Sequence, residues 1–191
     1  MPESRPSKGS DPLSAVFEGH LYLVGLPGAG KTTCARLLGA RLHRPAIDLD
    51  DEIAQHAGIG VPEIFERFGE AHFRALEHDA TLRVVGRLAA VVAPGGGWVE
   101  NPANLAVARR SGRVVYLEVS PARALARLGD DVGLRPLLRK PDPGGAIEAL
   151  LARRAPLYAT ADARINTEDF NPQQVTELLL ELALRWGTPV G

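Results

Sequence analysis

Gly25-Leu26-Pro27-Gly28-Ala29-Gly30-Lys31-Thr32, followed by Thr33, has the spacing G-x-x-x-x-G-K-[ST], whose residue types suit the phosphates of a nucleoside triphosphate. Glycines let the backbone curl until successive N–H groups point at one anion. A helix starting at the end of the loop adds the positive end of its dipole. Lys31 can then reach the β- and γ-phosphates, and the Thr32 hydroxyl can ligate Mg²⁺. The flanks favour this reading over a plain glycine-rich turn. His20 to Val24 reads as a short buried strand, and Cys34, Leu37, Leu38 and Leu42 recur at helical spacing.

Further residues could act on a second molecule. Asp48-Leu49-Asp50 stands where a second strand ends, at the sheet edge that also carries the loop. In extended backbone both carboxylates point the same way. One could hold a water of a Mg²⁺ shell, while the other grips a hydroxyl and helps remove its proton. Asp51 is expected to cap the next helix. Gly95-Gly96-Gly97 follows a buried strand at the same edge, where consecutive N–H groups suit an anion or a hydroxyl. Arg74 lies among Glu70, Glu77 and His78, so pattern alone leaves a solvated salt-bridge cluster as open as a binding role. Arg154 shares a helical face with Ile147, Leu150, Leu151 and Tyr158, which calls for an anionic partner, whereas Arg153 points toward Ala146 and Ala149. Arg127 and Arg135 flank a stretch rich in Gly and Pro. A lid carrying an arginine to a γ-phosphate would exclude water and stabilise the transferring charge.

The elements that must position these residues alternate along the chain. Strands are expected at Pro45–Asp48, Ala90–Ala93, Arg113–Val119 and Ala163–Asn166, besides the one before the loop. Helices are expected near Asp51–His56, over Val61–Phe68, from Phe73 to Val84 beyond a break at Gly69, over Pro102–Arg110, from Ser120-Pro121 to Leu128, over Ala146–Tyr158, and from Asn171-Pro172 to about Trp186. Gly129 to Gly145 reads as a loop. Five strands alternating with helices argue for an α/β fold with a parallel sheet covered on both faces.

The chain has 191 residues, 45% of them hydrophobic and 24% charged, with a formal net charge of −1. One domain is expected over residues 18–188, after a disordered tail over 1–17 rich in Pro, Ser and charge. This charge balance implies no bulk attraction to nucleic acid or membrane, and no apolar run suits a signal peptide or a bilayer span. A cytoplasmic, monomeric enzyme is expected. The one cysteine, Cys34, reads as a small core residue. The five histidines are unclustered and read as surface or core fillers, so Mg²⁺ would arrive with the nucleotide.

In order along the chain, these pieces resemble the shikimate kinase family. The shared run comprises the phosphate loop, Asp48-x-Asp50, Ile64-Phe65 with Gly69-Glu70 and Phe73-Arg74-x-x-Glu77, then Gly95-Gly96-Gly97, Arg135-Pro136-Leu137-Leu138 and Arg154-Ala155-Pro156-Leu157-Tyr158. The resemblance extends from about Leu21 to the final helix. It implies a nucleoside monophosphate kinase-like, three-layer P-loop fold with strand order 2-3-1-4-5 and a mobile lid over about 129–143. The acceptor would bind over about 48–78.

The resemblance also implies roles. Gly28, Ala29, Gly30, Lys31, Thr32 and Thr33 would hold ATP phosphates, with Thr32 on Mg²⁺ and Asp48 on its water shell. Arg127 and Pro172 would flank adenine. Asp50 would bind ring hydroxyls of shikimate and assist deprotonation of the 3-hydroxyl. Arg74 and Arg154 would clamp its carboxylate, and Gly96 and Gly97 would offer backbone contacts. Phe65, Phe73, Glu77 and Pro136 would shape the pocket, and Arg135 would come down on the γ-phosphate. Two features depart from the family pattern. Trp98-Val99-Glu100 follows the glycines where a small residue is usual, and the lid at Gly129–Gly133 is slightly longer. Trp98 is expected to repack nearby, with a narrowed acceptor pocket as the alternative. Two other functions stay open on sequence: a gluconate kinase-like enzyme, or a nucleotide-dependent sensor of shikimate-like ligands without turnover.

Overall fold

A computed structural model describes residues 16–187. Strand β1 (His20–Val24) lies at the centre of a five-stranded sheet and is buried at every position. Its neighbours are β3 (Val91–Ala93) and β4 (Gly112–Glu118), with β2 (Ala46–Asp48) and β5 (Ala163–Asn166) at the edges. The order is β2-β3-β1-β4-β5, and every pairing is parallel. A parallel sheet is covered on both faces, so its central strand needs apolar side chains in both directions. Leu21 and Leu23 of β1 accordingly pack with Cys34 and Leu38 of α1 (Lys31–Leu42) and Leu179 of α7 (Pro172–Gly187). On the other face, Tyr22 and Val24 pack with Phe73, Ala80 and Val84 of α3 (Val61–Val85) and Ala108 of α4 (Pro102–Ser111).

The remaining helices are α2 (Leu49–Ala57), α5 (Pro121–Leu128) and α6 (Pro143–Tyr158). Ser120 caps α5 as expected, its hydroxyl accepting the Arg123 N–H at 3.1 Å. Gly69 interrupts α3 with φ 80° and ψ 173°, so the two helical stretches expected on either side meet at a kink. Among the described residues, no helix is long and apolar enough to cross a membrane.

Four details differ from expectation. Asp48, not Asp51, caps α2: its Oδ1 accepts the Asp50 N–H at 3.0 Å, because β2 runs into the helix without a connecting loop. The stretch expected as a loop contains two short 3₁₀ turns, Gly129–Leu134 and Pro136–Leu138, and α6 begins at Pro143. Asp142 sets that earlier start by accepting the Gly145 N–H at 3.0 Å. Residues 1–15 of the expected tail lie outside the described residues. Val16 and Phe17, its last two, instead pack on the core: Val16 is buried, and Phe17 donates its N–H to Ala183 and meets the Trp186 ring edge-on at 6.1 Å.

Trp98 repacks as expected. Its indole is fully buried and stacks on Tyr22 at 5.7 Å, and its Nε1–H donates to Thr81 Oγ1 at 2.7 Å. Thr81 in turn donates to the Glu77 carbonyl at 2.7 Å. The Trp98 carbonyl accepts from Asn104 Nδ2 at 3.2 Å, and Asn104 Oδ1 contacts His78 Nδ1 at 2.8 Å. The turn after the glycines is thus fastened to both α3 and α4.

Candidate active site

Parallel strands bring their C-terminal ends to one edge, where loops can meet without blocking the sheet. Two adjoining cavities open there, of about 600 Å³ and 400 Å³. Pro27, Asp50, Asp51, Gly95, Gly96 and Arg135 line both and so mark their junction.

Gly28, Gly30, Lys31, Thr32, Thr33, Asp48, Arg127 and Pro172 line the larger cavity. Gly28 adopts φ 82°, and a Cβ there would lie 2.3 Å from the Ala124 carbonyl oxygen, so only glycine closes the loop against α5. Lys31 Nζ donates to the carbonyls of Gly25 and Leu26 at 3.1 and 3.0 Å. Desolvation inside the loop lowers its pKa to about 8, against the opposing pull of Asp50. Thr32 Oγ1 donates to Asp48 Oδ2 at 2.5 Å. With Asp48 Oδ1 engaged by the start of α2, this carboxylate is fixed at both oxygens. Arg127 donates to the Thr167 hydroxyl at 3.1 Å and to carbonyls of Thr167, Glu168 and Phe170, which docks it on the segment before α7.

The smaller cavity is lined by Phe65, Phe73, Arg74, Glu77, Gly96, Gly97, Pro136 and Arg154, besides Asp50 and Arg135. The rings of Phe65 and Phe73 lie 4.7 Å apart. Arg74 donates to Glu70 at 2.7 Å and Glu77 at 2.5 Å, so the salt-bridge cluster and the cavity wall are the same structure. Its guanidinium packs where a Gly97 side chain would begin: a Cβ there would lie 2.3 Å from Arg74 Nη2. Arg154, 1% exposed, donates from Nε to Glu100 Oε1 at 2.6 Å. The anionic partner expected for it is therefore Glu100, which also accepts from Arg153 at 2.9 Å.

Charge is held under tension in this cavity. Burial raises Asp50 to about 6, assisted by Asp48 and opposed by Lys31, Arg135 and Arg74. Burial likewise raises Glu77 to about 7, with Arg74 opposing. Three buried side-chain atoms have no hydrogen-bond partner among the described residues: Asp50 Oδ1, Glu77 Oε1 and Arg154 Nη2. All three belong to residues lining the smaller cavity. Unpaired buried polar groups are costly, so their concentration marks a surface shaped for polar contacts. Two acceptors and an arginine donor suit a molecule carrying both hydroxyls and an anion.

Two expectations change. Ala29 is not among the residues lining these two cavities: its methyl joins the core and its N–H donates to the Leu26 carbonyl at 3.1 Å. Asp50 is not extended but lies in the first turn of α2, and its carboxylate still borders the larger cavity together with Asp48. Sequence reasoning missed Arg36, which lines the larger cavity and pairs with Asp51 at 3.6 Å, and Asp131 of the 3₁₀ turn Gly129–Leu134, which lines the smaller one. Arg36 stands one helical turn after Thr33, the signal that could have found it. Asp131 carried none, because its position depends on the 3₁₀ turn.

A family model described as shikimate kinase matches residues 27–183. The shikimate kinase of Synechococcus sp. (strain CC9902) is 43% identical over 177 residues, covering 91% of this chain and 92% of that relative. That of Stenotrophomonas maltophilia (strain R551-3) is 41% identical over 169 residues, covering 87% and 93%. Among solved structures, shikimate kinase from Acinetobacter baumannii in complex with shikimate matches with TM-score 0.86 and 35% identity over 92% of this chain and 98% of that one. A gluconokinase from Sinorhizobium meliloti 1021, at TM-score 0.59 and 14% identity over 90% and 95%, shares the fold alone.

Proposed function

The chain belongs to the shikimate kinase family, and from that we propose which of its residues perform each part of the reaction. It is an ATP:shikimate 3-phosphotransferase: the γ-phosphoryl group of ATP passes to the 3-hydroxyl of shikimate, giving shikimate 3-phosphate and ADP. The observation carrying the assignment of roles is the junction of the cavities, where Asp50 Oδ2 lies 3.9 Å from Arg135 Nη1. An acceptor hydroxyl on one side and a γ-phosphate on the other would meet there.

In this reading the acceptor carboxylate lies against Arg154 and Arg74, and the ring rests on Phe65 and Phe73 beside Pro136 and Glu77. Gly96 and Gly97 allow close approach. Asp50 orients the 3-hydroxyl and takes its proton as the new O–P bond forms and the bond from the γ-phosphorus to the bridging oxygen breaks. Phosphoryl transfer is governed by positioning and charge stabilisation. Lys31 and Arg135 supply positive charge, the loop amides around Gly28 and Gly30 cradle the phosphates with Thr33 beside them, and the lid over 129–143 excludes water by closing. Arg127 and Pro172 flank the adenine. The paired hydroxyl and carboxylate of Thr32 and Asp48 form an oxygen donor set of the kind Mg²⁺ prefers. Mg²⁺ bound with ATP would neutralise phosphate charge, Thr32 holding it directly and Asp48 through water. The proposal extends to one catalytic domain over 18–188, acting as a cytoplasmic monomer.

A coupled ADP-release assay with Mg·ATP, comparing shikimate, gluconate and no acceptor, tests the assignment. Turnover that depends on shikimate is expected. Equal turnover with gluconate would favour a broader acid kinase, and nucleotide binding without turnover would favour a sensor.

A further inference from the structure

Arg154 is almost fully buried, yet only part of its guanidinium has a protein partner. Its Nε donates to Glu100 Oε1 at 2.6 Å, while Nη2 has no partner among the described residues. Nη1 lies beside Gly96, where a Cβ would be 3.2 Å away. A guanidinium binds a carboxylate best through two parallel N–H groups of one edge. With Nε engaged, Nη1 and Nη2 form the remaining edge of a side chain that lines the smaller cavity, next to Tyr158, whose hydroxyl meets the guanidinium and donates to the Gly96 carbonyl at 3.3 Å.

Glu100 is well mounted for this task. It ends the short turn Trp98–Glu100, and its N–H donates to the Gly97 carbonyl at 3.0 Å. Trp98, two residues before it, is fastened to Thr81 and Asn104. Glu100 therefore moves with the glycine run and with the wall of the cavity. A lone carboxylate against Arg154 would cancel the charge that an acidic acceptor needs. Arg153 prevents this by donating to the same Oε1 at 2.9 Å, so the three side chains together carry one positive charge. Partial burial works against ionisation of Glu100, but its hydrogen bonds to Arg154 and Arg153 hold the carboxyl below its usual range.

We propose that Glu100 is a positioning residue for acceptor binding: it fixes Arg154 through Nε and turns the Nη1–Nη2 edge to the acceptor carboxylate, while Arg153 restores the local charge. The proposal rests on the shikimate kinase reading. The test is steady-state kinetics of E100A, E100Q and R153A beside the wild type, with thermal melting of each. E100A should raise the KM for shikimate about tenfold, the usual scale for disturbing one charged contact, with the KM for ATP unchanged and kcat within about twofold. E100Q keeps an oxygen acceptor at the same place and should recover most of the loss. R153A, a change at a half-exposed position, should raise the shikimate KM several-fold without lowering the melting temperature. A merely structural Glu100 would instead lower kcat and melting temperature together, with no selective change for shikimate, and would overturn the proposal. Should E100A fail to fold, unchanged shikimate KM in both E100Q and R153A would overturn it equally. No shikimate-dependent turnover by the wild type would overturn the functional reading, and the proposal with it.

Discussion

Asp50 and Glu77, from different helices, aim one carboxylate oxygen each at Gly95. A Cβ on that glycine would lie 2.7 Å from Asp50 Oδ1 and 2.8 Å from Glu77 Oε1. Both oxygens are the ones without partners. Gly95→Ala would therefore push both carboxylates from their places. We expect kcat/KM for shikimate to fall at least about tenfold, with the KM for ATP changed far less, as steady-state assays would show.

The activity should have a bell-shaped pH dependence. Asp50 can take a proton only when ionised, so kcat/KM should rise through about pH 6. Lys31 loses its charge near pH 8, so the rate should fall above that. Phosphate charges favour the ammonium, and saturating ATP should move the upper limb to higher pH. The lower limb should stay in place, and profiles at two ATP concentrations check this.

Asp50 should cost stability at neutral pH. Its folded pKa of about 6 lies above its ordinary 3.8, so the native state holds the proton more tightly. The stabilisation is full below about pH 4 and is lost as pH rises through 6. Asp50→Asn mimics the protonated form. We expect it to abolish turnover yet stabilise the fold at pH 7 by roughly 1–2 kcal/mol, a figure reduced for the partial exposure of the side chain. Urea unfolding should show the gain at pH 7 and its loss near pH 4.

Arg154→Ala removes the buried guanidinium and should raise the shikimate KM ten- to a hundredfold, equivalent to roughly 1.5–3 kcal/mol. The KM for ATP should not follow. Unchanged acceptor affinity would rule out the carboxylate clamp.

Trp98 lies behind the cavity wall and does not line it. Trp98→Ala should destabilise the protein by about 3–5 kcal/mol through the void it leaves. Trp98→Phe should lose the hydrogen bond to Thr81 and leave a smaller void, a cost of about 1–3 kcal/mol. Neither change should alter the preference for shikimate over gluconate, which competition assays can measure.

Much of this site was legible in the sequence because its parts are local. The phosphate loop, Asp48-x-Asp50 and the glycine run each carry their own signal within a few residues, and alternation of strands and helices implied the parallel sheet. What escaped depends on residues far apart meeting. Arg154 called for an anion, but nothing in its own helix pointed to Glu100, 54 positions away. Asp51 looked like a cap because the boundary between β2 and α2 cannot be set from composition. Asp48 took the cap because the strand passes directly into the helix. The 3₁₀ turns Gly129–Leu134 and Pro136–Leu138 were hidden by a Gly- and Pro-rich composition that also describes an open loop.

The central place of β1 has a consequence for the order in which the molecule is made. A chain emerging from the ribosome presents the whole phosphate loop by Thr33, yet Gly28 closes against Ala124, and β1 is flanked by strands that begin at Val91 and Gly112. Contacts spanning such distances form late in folding. ATP can therefore stabilise this loop fully only once the chain extends past Ala124. A nascent chain lacking α5 has the complete binding motif without the Ala124 backbone on which Gly28 closes, so ATP should stabilise it less than it stabilises the full chain.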